Sequence, residues 1–377
     1  MRKVLTSLVA AIAIAGSPVQ AQQAGTLVAA TPVVPPRGVL AGPVQAWKIA
    51  YWTRDAKGAR RQVTGMVIAP ANRMGGPRPV IAWAHGTWGV AQKCAPSASA
   101  DFYTVTPALS EMIARGYTVV APDFPGLGSA GAHPYLVGID TGRSVLDAVR
   151  AAGAVPGASA GKRFAVWGES QGGHAALWTG QLARSYAPGL ELVGIAAAAP
   201  PTDLAANLRG STNKSVRALL TAFTAYSWGR HYGVPLTSLG NRQTQGIVTR
   251  LAQNNCVNID GKPRLGTVLG IAVVQQRLAK VDLGMLPPWS TFARSNSVMP
   301  RFAAPLFIAQ SEADPLVAPD VTRAFAKAAC RNGTRLRYLA LPGGSHATSA
   351  KDSATATLDW IDARFAGTPA PSDCKSI

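Results

Sequence analysis

Ser170 lies in a pattern that could make it a nucleophile. An apolar run over 164–167, typical of a strand, leads into Gly168-Glu-Ser-Gln-Gly172, and a helical pattern follows. Glycine two residues before and after the serine is typical of a sharp strand–turn–helix connection, because larger side chains there would collide with neighbouring segments. The turn holds the serine in a strained backbone conformation. Once activated, such a serine can attack the carbonyl carbon of an acyl compound.

The same spacing occurs a second time, around Ser159. Residues 157–161 read Gly-Ala-Ser-Ala-Gly, but they follow Val155-Pro156 and come before the strand rather than after it. A chain with 38 glycines produces such matches by chance, so only the context separates the two serines. We therefore interpret Ser159 as a linker residue and Ser170 as the nucleophile.

A candidate carboxylate follows the serine along the chain. An apolar run over 304–310 predicts a short strand, and Asp314 comes just after its carboxyl end, directly before Pro315. In a sheet of parallel strands the reactive side chains lie at that end. A carboxylate there can fix the tautomer of a histidine and stabilise its protonated form. Glu312 and Asp203 are rival acids, and a turn or helix-cap role for Asp314 stays open.

The candidate base is His346, one of five histidines in the chain. It follows the last predicted strand, over 335–341, in the sequence Pro-Gly-Gly-Ser-His. A neutral imidazole there can take the proton of a serine hydroxyl, and the order serine, acid, histidine is that of nucleophile-elbow hydrolases. His174 is too close to Ser170 in sequence to face it, and we expect it to pack. The others fall in other predicted loops or helices: His85, His133 and His231.

The loop that would complete such a site follows a strand predicted over 79–83. Its sequence, residues 84–89, is Ala-His-Gly-Thr-Trp-Gly. We expect the backbone N–H groups of Gln171 and of Thr87 or its neighbour to form an oxyanion hole. Such donors contribute about 2.7–4 kcal/mol each. A glycine-rich strand end without a role is the alternative.

The first 21 residues have the pattern of a secretory signal. Arg2 and Lys3 precede an apolar core over 4–16, and Val19-Gln-Ala21 is a small-residue cleavage site. The apolar core is too short to span a membrane. We expect a mature protein that is exported to the periplasm or the medium.

Four cysteines fit an oxidising compartment and allow three pairings. We favour Cys94–Cys256 with Cys330–Cys374. The first bond would join the oxyanion loop to a later segment, and the second would hold the C-terminal tail. No two cysteines have the spacing of zinc ligands, and we expect no metal and no cofactor.

Composition limits the classes of partner. The 377-residue chain is 47% hydrophobic and 15% charged, which is enough to bury a large core. Its formal charge of +19 favours contact with an anionic envelope or lipid surface. The basic residues are scattered, so we expect no nucleic-acid binding. We expect a monomer.

Strands alternate with helices along most of the chain, which predicts an α/β core with a mainly parallel sheet and helices on both faces. The other predicted elements are a hairpin of 44–54 with 60–69, helices over 103–115 and 140–152, and strands over 117–121 and 190–199. We expect these units: a signal peptide (1–21), a proline-rich lead (22–43), a core (44–202 and 300–377) and an inserted cap (203–299).

The cap segment 203–299 has mostly helical patterns and many large apolar residues: Phe223, Tyr226, Trp228, Tyr232, Met285, Leu286 and Trp289. An insertion between these strands would lie over the active site. As a group, such residues favour a substrate with an apolar acyl or alcohol group. The alternative is that they pack only the core of the cap itself.

Five motifs together resemble the secretory lipase family of α/β-hydrolases. They are residues 84–89, Pro122-Asp-Phe-Pro-Gly-Leu-Gly128, His133-Pro-Tyr-Leu136, 142–150 and 168–173. The resemblance extends from about Pro35 to the C-terminus. It implies hydrolysis of carboxylic esters, sometimes acyl transfer, without metal or cofactor, and a similar pattern of two disulfides. Glu169 stands where many relatives carry an aromatic residue.

The resemblance also implies roles for single residues. Ser170, Asp314 and His346 take the triad positions, and Thr87 and Gln171 take the oxyanion positions. The expected function is therefore that of an exported serine carboxylic-ester hydrolase with an acyl-enzyme intermediate. Two alternatives stay open: a serine peptidase or amidase of the same fold, and a non-catalytic envelope-binding protein.

Overall fold

The computed structural model describes residues 23–72, 75–210, 212–257, 265–278 and 281–377. The segment 1–21, which is expected to be a signal peptide, lies outside these ranges. None of the helices within them is long and apolar enough to cross a membrane.

One sheet of nine strands organises the described part of the chain. In chain order the strands are β1 (Leu27–Val33), β2 (Val44–Arg54), β3 (Arg60–Pro70), β4 (Arg78–Ala84), β5 (Thr118–Pro122), β6 (Ala160–Glu169), β7 (Glu191–Ala198), β8 (Leu306–Ser311) and β9 (Leu336–Leu341). Their spatial order is β1-β2-β3-β5-β4-β6-β7-β8-β9. The pairs from β1 to β5 are antiparallel, and all pairs from β5 to β9 are parallel.

Helices connect the strands. In chain order the α-helices are α1 (Phe102–Val105), α2 (Leu109–Ala114), α3 (Gly138–Ala152), α4 (Gln171–Tyr186), α5 (Leu204–Gly210), α6 (Lys214–Tyr232), α7 (Arg242–Asn254), α8 (Leu265–Arg277), α9 (Trp289–Asn296), α10 (Pro319–Arg331), α11 (Ser349–Asp352) and α12 (Ala354–Phe365). The run α5–α9 falls between β7 and β8. The topology confirms the predicted α/β class with a mainly parallel sheet and inserted helices.

The sheet is buried on both faces. Along β4, Val80 and Ala82 belong to a core layer with α3, α4 and α10, whereas Ile81 and Trp83 belong to a layer with α2 and α12. Successive side chains of a strand point to opposite faces, so a strand buried on both sides is apolar throughout. Because these strands are parallel, their carboxyl ends lie at one common edge of the sheet. The loops after β4, β6, β8 and β9 lie together at this edge.

The predicted hairpin is present as β2 and β3, with Arg54 opposite Arg60. Sequence analysis did not predict β1, which lies within the proline-rich lead and pairs with β2. Pro32 stands in this strand, and proline is tolerated there because β1 is at the edge of the sheet and needs no second partner.

The prediction of one helix over 103–115 is wrong. The chain forms two short helices, α1 and α2, separated at Thr106 and Pro107. Proline disfavours the helical conformation in the residue before it, and Thr106 accordingly has an extended backbone with ψ of 112°.

The helices α5–α9 build their own hydrophobic cluster. Phe223, Trp228 and Trp289 are fully buried in it, and Tyr135 joins them from the loop before α3. These three aromatic side chains therefore pack between helices, as the alternative reading of the cap segment proposed.

Candidate active site

Ser170 connects β6 to α4 in a rare backbone conformation, with φ of 54° and ψ of −121°. Two backbone hydrogen bonds hold it there. Its N–H donates to the carbonyl of Ala198 at 2.9 Å, and its own carbonyl accepts from the N–H of His174 at 3.0 Å. L-residues rarely adopt positive φ, so this strain is maintained by the flanking strand and helix.

The glycines on both sides of Ser170 are required by close contacts. A methyl group on Gly168 would overlap the carbonyl oxygen of Gly172, and one on Gly172 would overlap the carbonyl oxygen of Ala84. The end of β4 therefore packs directly against the turn. Ser159 lies just before β6, at the opposite end of the strand and roughly 35 Å from Ser170.

Three side chains from separate loops form a hydrogen-bonded relay. His346 Nε2 lies 2.7 Å from Ser170 Oγ, and His346 Nδ1 lies 2.8 Å from Asp314 Oδ2. A carboxylate oxygen accepts, so Nδ1 carries the proton and Nε2 accepts from the serine hydroxyl. The loops follow β6, β8 and β9, and the structure brings all three predicted residues together.

Asp314 is buried, and both of its carboxylate oxygens accept hydrogen bonds. Its Oδ1 accepts from the N–H groups of Leu316 at 2.8 Å and Val317 at 2.9 Å, and its Oδ2 also accepts from Gln310 Nε2 at 3.0 Å. Burial alone would raise the pKa of Asp314, but the hydrogen bond and charge of His346 and the two amide donors outweigh it. The net effect lowers this pKa and keeps the carboxylate ionised.

The rival acids lie elsewhere. Glu312 is half exposed and pairs with Arg323 at 3.3 Å. Asp203 accepts from the N–H of Ala206 at 3.0 Å and so caps the start of α5. Asp314, and neither of these two, contacts the imidazole of His346.

His174 packs, as expected, and it does so against the inserted helices. Its Nε2–H donates to the carbonyl of Asn296 at 2.7 Å, and Trp178 donates to the same carbonyl at 3.1 Å. The Asn296 side chain in turn accepts from the N–H of Gly138 at 3.0 Å. Burial lowers the pKa of His174 to about 4, so it is neutral at pH 7.

The remaining histidines support other parts of the structure. His133 donates from Nδ1 to the carbonyl of Pro125 at 2.9 Å and accepts at Nε2 from Gln171 at 2.8 Å. Burial lowers its pKa to about 3. His85 lies against the carbonyls of its own loop and of Asp123. His231 lies 3.8 Å from Asp140.

Of the expected oxyanion residues, Gln171 directly follows the serine, and Thr87 lies in the loop after β4. Gln171 begins α4, and the N-terminus of a helix carries partial positive charge and unpaired N–H groups. Its side chain is anchored by His133. A methyl group on Gly86 would come within 4.0 Å of Ser170 Cβ, so the loop after β4 also reaches the turn. Thr87 in that loop shares a hydrogen bond of 2.9 Å with the hydroxyl of Tyr135.

Two disulfides join the pairs that sequence analysis favoured, Cys94–Cys256 and Cys330–Cys374. The first secures the loop after β4, because the residue beyond Cys256 donates from its N–H to the carbonyl of Trp88 at 2.9 Å. That contact is one residue from Thr87. The second joins α10 to the C-terminal tail.

A narrow cavity of about 60 Å³ opens at Ser170 and His346. Its other lining residues come from the loops before α3, after β7 and after β8 and from α5 and α6: Tyr135, Leu136, Pro201, Leu204, Asn207, Leu208, Arg217, Leu220, Thr221, Thr224, Leu316 and Val317. The apolar lining is mainly aliphatic. None of the seven large apolar residues singled out in the cap segment, all of which the structure describes, belongs to it.

Sequence analysis missed two supporting contacts. Tyr135 was noted only as part of a motif, yet its hydroxyl holds Thr87. Glu169 accepts from the N–H of Ala350 at 3.1 Å, and burial raises its pKa to about 7. Among the residues that the structure describes, no group of three or more His, Cys, Asp or Glu side chains forms a metal-binding cluster.

Comparisons with known proteins show the family to which the chain belongs. The secretory lipase family matches residues 95–225 and 290–373, which is more than half of the chain. A Mycobacterium tuberculosis protein named probable inactive lipase MT1628 is 26% identical over 88% of this chain and 76% of its own length. The secreted triacylglycerol lipase LIP4 of Malassezia globosa is 26% identical over 88% of this chain and 75% of its own.

Solved structures share the fold. Candida antarctica lipase A superposes with a TM-score of 0.74 at 19% identity and covers 94% of this chain and 85% of its own. The cell-wall-degrading esterase LipA of Xanthomonas oryzae superposes with a TM-score of 0.70 at 18% identity, over 91% and 98%. The fold is that of the α/β-hydrolase lipases and esterases, and the chain belongs to the secretory lipase family.

Proposed function

We propose that the protein is an exported serine carboxylic-ester hydrolase that acts through an acyl-enzyme on Ser170. The observation that carries this proposal is the relay from Ser170 Oγ to His346 Nε2 at 2.7 Å and from His346 Nδ1 to Asp314 at 2.8 Å. It supplies a nucleophile, a base and a group that orients the base, which are the parts that acyl transfer needs.

The acylation step follows from the positions of the protons on Ser170 Oγ and His346 Nδ1. His346 Nε2 takes the hydroxyl proton while Ser170 Oγ attacks the ester carbonyl, and the oxyanion is held by backbone N–H groups of Thr87 and Gln171. Each such donor is worth about 2.7–4 kcal/mol in the transition state. The protonated imidazole, stabilised by Asp314, then gives its proton to the departing alkoxide as the carbon–oxygen bond breaks.

Deacylation repeats these roles with water. His346 takes a proton from a water molecule, whose oxygen attacks the acyl carbon on Ser170. The second tetrahedral intermediate collapses with return of the proton from His346 to the serine oxygen. The products are a carboxylic acid and the free enzyme, and no cofactor takes part.

The cavity supports an apolar acyl group. Leu204, Leu208 and Leu220 line it, but about 60 Å³ is far below the roughly 300–1,000 Å³ of drug-sized ligand sites. A second cavity of about 770 Å³ shares Leu208, Arg217 and Thr221 with it. We propose that segment 203–299 acts as a cap, and that longer acyl chains extend into the larger space when it shifts.

The substrate class and the compartment are part of the same proposal. A Malassezia relative bears the name of a secreted triacylglycerol lipase, which supports an ester lipid as substrate. Export is supported by the signal pattern over 1–21 and by the two disulfides, which form in oxidising compartments. We expect a monomer that makes peripheral contacts with anionic surfaces.

One relative is named probable inactive lipase, so family membership alone leaves activity open. The intact relay in this chain is what favours an enzyme over a non-catalytic envelope protein. Nothing in the cavity lining presents a site for a charged peptide end beside the relay other than Arg217, and we therefore keep ester hydrolysis ahead of peptidase or amidase activity.

The test is hydrolysis of p-nitrophenyl esters from acetate to palmitate by the mature protein. Ser170→Ala should abolish it, whereas Ser159→Ala, which changes the second Gly-x-Ser-x-Gly sequence, should leave it intact. The chain length with the highest rate then separates esterase from lipase. A folded protein without activity on any ester would overturn the proposal.

A further inference from the structure

Two polar atoms at the catalytic cavity have no partner in the protein. Asn207 on α5 and Thr224 on α6 both line the cavity that contains Ser170, and they are 8% and 1% exposed. Asn207 Oδ1 and Thr224 Oγ1 make no hydrogen bond. Buried polar atoms are nearly always paired with protein or with water, so two unpaired ones at the same small cavity mark a place where a polar group can bind.

The orientation of Asn207 is fixed by its other atom. Asn207 Nδ2 donates to the carbonyl of Asp203 at 2.8 Å, so Oδ1 is the end left over, and it can only accept. The hydroxyl of Thr224 can both donate and accept. In a helix this hydroxyl often bonds to the carbonyl one turn earlier, but here it does not.

These two atoms together select one kind of group. A carboxylate or a carbonyl would pair with Thr224 but repel Asn207 Oδ1, because both are acceptors. An ammonium would pair with Asn207 Oδ1, but Arg217, which also lines the cavity, would repel it, and burying a charge is costly. A hydroxyl donates to Asn207 Oδ1 and accepts from Thr224 Oγ1, so it satisfies both.

We propose, on the basis of the function proposed above, that this cavity recognises a hydroxyl on the acyl group of the substrate, which makes hydroxy-acid esters the preferred class. The alcohol must leave while the acyl group stays bonded to Ser170, so a narrow cavity at the serine suits the acyl side. The bond to Ser170, the bonded hydroxyl and the aliphatic wall formed by Leu204 and Leu220 contact three different parts of the hydroxyacyl group, so one enantiomer is preferred.

The experiment compares ethyl 2- and 3-hydroxybutyrate, as separate enantiomers, with ethyl butyrate by pH-stat titration. For at least one hydroxy ester we expect kcat/KM to exceed that of butyrate by about tenfold or more, since a site that bonds a substrate hydroxyl discriminates strongly against its absence. Thr224→Val and Asn207→Leu should each reduce this ratio to near the intrinsic reactivity ratio of the two esters.

Thr322→Val is the matched control. Thr322 on α10 is also fully buried with an unpaired hydroxyl, but it is not part of the cavity lining, so the variant should keep the wild-type ratio. Thermal unfolding gives a second readout. Thr224→Val should have an unchanged or higher Tm, because it removes an unpaired buried hydroxyl at constant shape.

The outcomes separate the two proposals. Ser170-dependent hydrolysis of butyrate without preference for either hydroxy ester overturns the hydroxyl site alone. A marked fall in Tm for Thr224→Val would show that its hydroxyl has a partner in the protein, and it would also overturn the site. Loss of all ester hydrolysis overturns the function itself.

Discussion

The carboxylate of Glu169 accepts a hydrogen bond of 3.1 Å from the backbone N–H of Ala350. This contact joins the residue before the nucleophile to the short helix that directly follows the His346 turn. The serine and its base are therefore held together by a second connection, besides their own hydrogen bond.

Glu169 gives the protein a pH-dependent stability. Burial raises its pKa from 4.5 to about 7, so the folded state holds a proton that the unfolded state has already lost. The contribution of this proton to the free energy of unfolding is complete below pH 4.5 and is lost as the pH rises to about 7. We expect Glu169→Gln to gain on the order of 3 kcal/mol in the free energy of unfolding relative to wild type between pH 4.5 and 8.

Urea unfolding of both proteins at pH 4.5 and pH 8 measures this difference. The control is Glu191→Gln, since Glu191 lies on the neighbouring strand but is well exposed, in an ion pair with Arg163. A gap between wild type and Glu169→Gln that is equal at the two pH values would contradict the expected proton uptake.

Asp314→Asn should lower kcat about 10⁴-fold while the protein stays folded. The amide would donate to Nδ1, which leaves the proton on Nε2 and removes the acceptor for the serine hydroxyl. Steady-state kinetics on p-nitrophenyl acetate measure the effect, and Glu312→Gln in the same loop is the control. Near-normal turnover in the Asn variant, with a loss in the Gln variant, would transfer the role to Glu312.

Ser170 should reverse the usual stability order of alanine and glycine. At φ of 54°, glycine relieves a strain of about 1–3 kcal/mol but loses roughly 0.5–1 kcal/mol in chain entropy. We expect Ser170→Gly to be about 1 kcal/mol more stable than Ser170→Ala. At Ser185, an exposed site in α4, alanine should instead be the more stable. Chemical denaturation of the four variants measures their free energies of unfolding. If alanine were more stable than glycine at both sites, the turn at Ser170 would store no strain.

The two disulfides should differ in their effect on activity. Their sequence separations of 162 and 44 residues correspond to about 5 and about 4 kcal/mol in the loop-entropy estimate. Replacing Cys94 and Cys256 by serine should also lower kcat/KM, because it frees the loop that carries Thr87. The Cys330/Cys374 double variant serves as control, with reduced stability and normal kcat/KM at a temperature where both proteins are folded. Equal activity in both would show that the first bond has no role in the site.

The sequence predicted those features that depend on chain order and strand ends. Ser170 and His346 could be placed because each follows a recognisable strand, and parallel strands end at one edge. The contact of Thr87 with Tyr135 could not, since it joins two loops whose approach depends on how the inserted helices pack. The break at Pro107 had a visible signal, but the apolar pattern on both sides of it suggested one helix.

The inserted helices show most clearly what the sequence pattern could not predict. Composition indicated an apolar segment but not which side chains face the serine. In a helix with apolar residues on several faces, such as α6, periodicity does not separate the core face from the cavity face. Phe223 and Trp228 turned out to be core residues, and Leu220 and Thr224 of the same helix line the cavity.

The bonds of Asn296 determine which part of the insertion can hinge. Its backbone carbonyl holds α4 through His174 and Trp178, and its side chain holds the start of α3, so the last helix of the insertion is anchored to the core at two places. A rigid-body swing of the whole insertion would break all of these bonds at once. Of the two helices that carry most of the cavity wall, α6 is anchored as well, because Asn296 Nδ2 donates to the hydroxyl of Tyr232 at 2.6 Å and Trp228 donates to the carbonyl of Tyr135 at 2.8 Å. The other helix, α5, takes part in none of these bonds, so a displacement that opens the cavity without breaking them is confined to α5.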